Sequence, residues 1–231
     1  MKVYVHTRGA RHLSDPSKLI ESAGMVYGNQ KAVLDMHGEI LPVPNENIIP
    51  LTENELDIGN GIRLTLFDAP GHASHHIGIF EPESGCLFSG EALGHYLPEL
   101  DLLQPAVAPP GFSLQASLST IKAFEGLHPK TICFSQYAVY HDPAFVIREA
   151  IGQLQFYHDM LLPYFRAGLD TKTMIQKLIN HFETERGTHE GLTDPMLTSI
   201  VTGYQIYFQR TYKSSTPAEI NADNRQETKI D

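Results

Sequence analysis

A chain of 231 residues, 42% of them apolar, is long enough for one large domain or two small ones around a real core. Its 17 Lys and Arg against 27 Asp and Glu leave a net charge of −10. That balance argues against a general affinity for nucleic acid or anionic membrane, since both need a basic face. No apolar run approaches the roughly 20 residues of a membrane span, and the N-terminus lacks the apolar core of a signal peptide. Cys86 and Cys133 sit in apolar runs and read as buried thiols in a reducing cytosol rather than a disulfide. The expected localisation is cytoplasmic.

Two regimes follow along the chain. Up to about Pro143, short apolar runs alternate with Gly, Pro and Asn turns, and beyond it the periodicity is long and helical. Residues 2–6 predict a strand. Residues 15–24 predict a short helix, with Asp15 as N-cap, Pro16 at the first helical position and Gly24 near the end. Residues 47–52 and 63–68 predict strands separated by the turn signal Gly59-Asn60-Gly61. Residues 76–81 and 86–89 predict a hairpin closed by Pro82-Glu83-Ser84-Gly85. Residues 94–111, with Pro98, Pro105, Pro109 and Pro110, predict a long loop, either a functional lid or a packing surface for later helices. An amphipathic helix is expected over 113–127 and a short buried strand over 131–134. Helices then run from Asp142-Pro143 to about Arg166, from Asp170-Thr171 to about Glu185, and onward from Thr193-Asp194-Pro195. Residues 214–231 are polar and expected to be disordered. Strands alternating with helices imply an α/β arrangement.

The chemistry concentrates between Asp68 and Leu93. This stretch reads as strand, tight turn with His72, hairpin, and a second turn with Glu91. A His directly after Pro70-Gly71 is held on a rigid turn, and with Glu91 it offers a nitrogen and an oxygen ligand to one metal. Most of the 12 histidines, among them His37, His128, His158 and His181, are most simply surface or hydrogen-bonded structural groups. Alternation along a strand points one of His75 and His76 inward.

Asp68-Ala-Pro-Gly-His72, followed by Leu87-Phe-Ser-Gly-Glu91, resembles the second half of a metallo-β-lactamase-fold hydrolase. Val3 to Leu19 resembles the strand, loop and helix that follow that family's first metal motif, and the resemblance extends to about Tyr212. It implies an α/β fold, a partial αββα sandwich lacking its opening strands, with a C-terminal helical extension. The implied divisions are a truncated α/β domain over 1–143, a helical region over 144–213 packed on it, and the tail 214–231. It also implies zinc or another divalent metal, whose bound hydroxide attacks a carbonyl or phosphoryl centre.

The implied metal ligands are His72 and Glu91, the latter one methylene longer than the family's Asp; Gln136, a poor zinc ligand, falls at a family His. The family's His-x-His-x-Asp-His motif occurs nowhere in the chain. His75, His76, His95 and His141 are candidates to rebuild the site, His95 and His141 lying near the right loops in sequence. No catalytic residue is assigned. The implied function is a metal-dependent hydrolase of an ester, thioester, lactone or related small molecule, present as its C-terminal portion and inactive alone. The alternatives are a degenerate non-catalytic member acting as a binding or assembly module, and an unrelated α/β binding domain. Expected partners are a small-molecule substrate, with no nucleic acid and no membrane, and a homo-oligomer or complementing chain across the exposed sheet edge.

Overall fold

The computed structural model describes residues 1–212 apart from positions 137 and 189 and the side chain of residue 25. The tail 214–231 lies outside the described residues. The chain opens with β1 (Val3–His6), then α1 (Ala10–Ser14), α2 (Ser17–Tyr27), α3 (Gln30–His37) and β2 (Ile48–Leu51). β1 and β2 pair in parallel as a separate two-stranded sheet. Asp15 accepts the Ser17 N–H at 3.1 Å, but the N-cap is Pro16, one residue later than expected, and α2 runs past Gly24 to Tyr27. Gly24 serves close packing instead: a Cβ there would lie 3.2 Å from the Asn29 carbonyl carbon, where the chain turns into α3.

Next come β3 (Glu55–Asp57), β4 (Arg63–Asp68), β5 (Ile77–Glu81) and β6 (Cys86–Gly90), a continuous antiparallel run. After them lie β7 (His95–Leu97), β8 (Leu102–Gln104), α4 (Leu114–Glu125), β9 (Thr131–Phe134) and β10 (Val139–Tyr140). β9 joins β6 in parallel through the crossover of α4, which gives a six-stranded sheet ordered β10-β9-β6-β5-β4-β3. Pairing register fixes its faces. Leu87 and Ile132 are register partners and fully buried. Gly78 is beneath Phe124 of α4, so close that a Cβ would come within 2.3 Å of the ring. On the opposite face Ile79, Phe88, Cys133 and Val139 form one row, in which Phe88 is 44% and Val139 52% exposed. Cys86 and Cys133 are free on this face, half-buried rather than buried, with their sulfurs 3.2 Å apart.

Residues 94–111 are not a structureless lid. They hold the β7–β8 hairpin, and their apolar residues Leu103, Val107 and the adjoining Phe112 are buried against the helices that follow. Those helices are α5 (Pro143–Arg166), α6 (Thr171–Arg186) and α7 (Asp194–Tyr212). Tyr157 of α5 donates its hydroxyl to Gln104 Oε1 at 2.7 Å. Ser199 and Arg210 of α7 donate to the carbonyls of Val107 and Phe112. The segment is thus a strap pinned between sheet and helices, the packing-surface alternative. Asp142 and Asp170 accept the Phe145 and Thr173 N–H groups as N-caps. One apolar core runs from Leu87 and Ile132 of the sheet to Tyr204 and Phe208 of α7. Among the described residues no helix is long and apolar enough to cross a membrane.

Candidate functional site

The turn after β4 rests on the start of α4. Pro70 O accepts the Thr120 hydroxyl at 2.7 Å, and Gly71 O accepts the Ser113 N–H at 2.9 Å. Gly71, at φ +140°, lies so near Ser117 that a Cβ would sit 2.3 Å from its Oγ. Only glycine fits here, and the result is a fixed platform for His72. His72 Nδ1 is 2.8 Å from the carbonyl of Ala106 on the strap. A carbonyl only accepts, so Nδ1 carries a proton, and in the neutral ring Nε2 keeps its lone pair. Metal-binding histidines are commonly oriented in this way.

The second turn follows β6. Gly90 has φ +56°, and an added Cβ would lie 2.4 Å from His76 Nε2. This closeness lets the Glu91 N–H donate to His76 Nε2 at 2.9 Å. His76 is thus the inward member of the His75–His76 pair, held neutral; burial, then the neighbouring His72, lower its pKa to about 4. The Glu91 side chain is ringed by donors. Its Oε2 is 2.7 Å from His95 Nε2 and 3.7 Å from His72 Nδ1. Its Oε1 accepts Gln136 Nε2 at 2.6 Å and the Ser135 hydroxyl at 3.1 Å. Burial alone raises the Glu91 pKa, but the His95 hydrogen bond and charge, the His72 charge and Gln136 outweigh it and hold the pKa at about 2. Glu91 is a carboxylate at any physiological pH.

The structure therefore brings His72, His76, Glu91, Gln136 and His95 together. It does not bring His141, whose Nδ1 lies 3.4 Å from Thr131 Oγ1, nor His75, whose ring lies 5.3 Å from that of His12. Ser135 and the Ala106 carbonyl were missed. Ser135 was within reach as the neighbour of Gln136, whereas a backbone acceptor 34 residues from His72 leaves no trace in sequence.

These residues do not fit a catalytic metal by themselves. Both oxygens of Glu91 are engaged by protein donors, and Gln136 turns its amide nitrogen, not a ligand atom, toward them. His72 Nε2 is one ligand where three are usual. Among the described residues no group of three or more His, Cys, Asp or Glu is arranged to hold a metal ion. The cavity behind His72 and Glu91, lined also by Ala106, Ser117 and Leu154, is about 10 Å³, room for no more than a water.

The sequence model of the Metallo-beta-lactamase superfamily matches residues 2–136, more than half of the chain. The chain belongs to this superfamily. A metallo-beta-lactamase superfamily protein from the archaeon Sulfolobus tokodaii is similar at 27% identity and TM-score 0.56, over 66% of this chain and 57% of that one. A metallo-beta-lactamase family protein from Thermus thermophilus shares the fold at TM-score 0.63 and 18% identity, over 90% of this chain and 66% of that one. The chain thus spans between about half and two thirds of these relatives' lengths. No match was found among curated proteins. Superfamily membership agrees with the α/β fold.

Proposed function

We propose that this chain is the C-terminal portion of a metal-dependent hydrolase of the superfamily, acting on an ester, thioester, lactone or related small molecule, and that it is inactive alone. The observation that carries this reading is the pairing of His72, with Nε2 free and Nδ1 anchored, with a Glu91 already satisfied by His95, Gln136 and Ser135. One ligand is ready and the rest must come from outside the chain. A polypeptide supplying the His-x-His-x-Asp-His motif would complete the site. It would also cover the apolar row of Phe88 and Val139 and pair with the parallel β1–β2 sheet, whose outer edges have no neighbour among the described residues. The greater length of the two relatives supports a complementing segment over a second copy of this chain. Free thiols at Cys86 and Cys133 fit a reducing cytoplasm.

Metal analysis after purification in zinc-containing buffer tests the reading. The chain alone should carry well under one zinc, and should hydrolyse none of these substrates until a complementing polypeptide is added. Stoichiometric zinc lost in His72→Ala would overturn it. The non-catalytic alternative, a binding or assembly module, draws on the mutual satisfaction of Glu91 and Gln136. It wins if complementation yields a stable complex without hydrolysis.

A further inference from the structure

The turn that carries His72 also gathers positive charge that an otherwise acidic chain leaves unbalanced. Arg8 Nη1 reaches across from the end of β1 to the Ser74 carbonyl at 3.4 Å. The next residue, His75, lies against Gly9, where an added Cβ would be 3.4 Å from His75 Cδ2. Its ring packs on that of His12 in α1. Arg11, from the same short helix, acts on His75 through its charge. Among the described residues neither arginine forms an ion pair with a carboxylate, and neither does His12 or His75.

The nearby acids are committed elsewhere. The Arg8 N–H donates to His6 Nδ1 at 3.0 Å, which leaves His6 Nε2 as the protonated nitrogen facing Asp68 Oδ1 at 3.2 Å. Glu91 is ringed by His95, Gln136 and Ser135. Burial, and then His12, His6, His72 and Arg11, push the His75 pKa below the usual imidazole range.

We propose that Arg8, Arg11, His12 and His75 form an oxyanion-binding site beside His72, for a small molecule bearing a phosphate, sulfate or carboxylate group. The guanidinium fork matches such groups in planar, two-point fashion. The acidic remainder of the molecule opposes an extended polyanion, which leaves a small oxyanion as the ligand. His75 is three residues beyond His72 on one turn. An anion held there anchors one end of a substrate whose reacting bond lies at His72. That last step rests on the hydrolase reading, whereas the binding itself does not.

Titration calorimetry of inorganic phosphate into the full chain, with a chelator present, separates the two. Wild-type protein should bind saturably, and Arg8→Gln or Arg11→Gln should each weaken binding about tenfold, the worth of one charge-assisted hydrogen bond. Arg148→Gln, which removes the same charge beside Glu149 on α5, should leave the affinity unchanged. Both test arginines are exposed, so circular dichroism should show an unaltered fold. The His12 and His75 ring signals should shift with phosphate in the wild type and stay still in Arg8→Gln/Arg11→Gln. No saturable binding, or equal affinity in all variants, overturns the proposal and leaves the hydrolase reading standing. Phosphate binding without hydrolysis on complementation would do the reverse.

Discussion

Gly90→Ala isolates the contact that sets Glu91 in place. Alanine at φ +56° adopts a left-handed backbone at a cost of about 1–2 kcal/mol. Its Cβ would also stand 2.4 Å from His76 Nε2, well inside contact distance. The imidazole must then withdraw and abandon the Glu91 N–H, which is half-buried. A stranded donor of this kind costs a further ~1–3 kcal/mol, so the expected total is ~2–5 kcal/mol. Gly59→Ala is the matched control. Its φ of +90° is at least as awkward for alanine, yet nothing lies within 4 Å of the added Cβ. Urea unfolding of both variants, read by circular dichroism, should show Gly90→Ala less stable than Gly59→Ala by about the worth of the lost hydrogen bond. If the two cost the same, the His76–Glu91 contact contributes nothing and the account of the second turn fails.

Tyr157→Phe should destabilise the chain by about 1–3 kcal/mol in the same assay, because it strands Gln104 Oε1 beside a Gln104 Nε2 that is already buried without a partner. An unchanged midpoint would mean that the strap is not held by that bond. His76 falls from 6.5 unfolded to about 4 folded, so its contribution is present above pH 6.5 and is lost as pH falls through 4. Wild-type protein should lose about 3 kcal/mol more than His76→Gln between those limits, and parallel pH curves would refute this. Burial, then the Cys133 hydrogen bond and charge, and Glu81, push the Cys86 thiol up to about 12. Cys86 should therefore alkylate far more slowly at pH 8 in the native chain than in urea, with peptide mapping as the readout.

Regular alternation and strong end signals made much of the fold readable. The strand at Arg63–Asp68 and the 24-residue helix from Pro143 to Arg166 have the bounds their sequence predicts, because Gly turns flank the one and an Asp-Pro cap starts the other. β3, β10 and α1 went unpredicted, because three, two and five residues are too few to show a period without the apolar, β-branched run that marks β1 and β9. The strap misled because its prolines announce a loop, while Leu103, Val107 and Phe112 find their partners only on helices up to 100 residues later. In the site, His72 and Glu91 stand out through the glycines before them, and His95 was one of four candidate histidines. The arginine cluster needed the fold itself, since residues 8–12 meet residues 74–75 only after β1 and α1 have docked.

Glu91 and Gln136 read best as one arrangement rather than two separate side chains. A glutamate reaches further from the Gly90 turn than an aspartate would, and at that length its carboxylate meets His95, four residues on, and Gln136 at the end of β9. Rotating the Gln136 amide to offer its oxygen to a cation would withdraw its nitrogen from Glu91 Oε1, 2.6 Å away. An aspartate at 91, one methylene shorter, would leave gaps between its carboxylate and these donors. Glutamate beside glutamine closes them, so each residue makes the other tolerable in a half-buried setting where an unpaired charge is costly. A divalent ion entering this edge must compete with a network that is already complete.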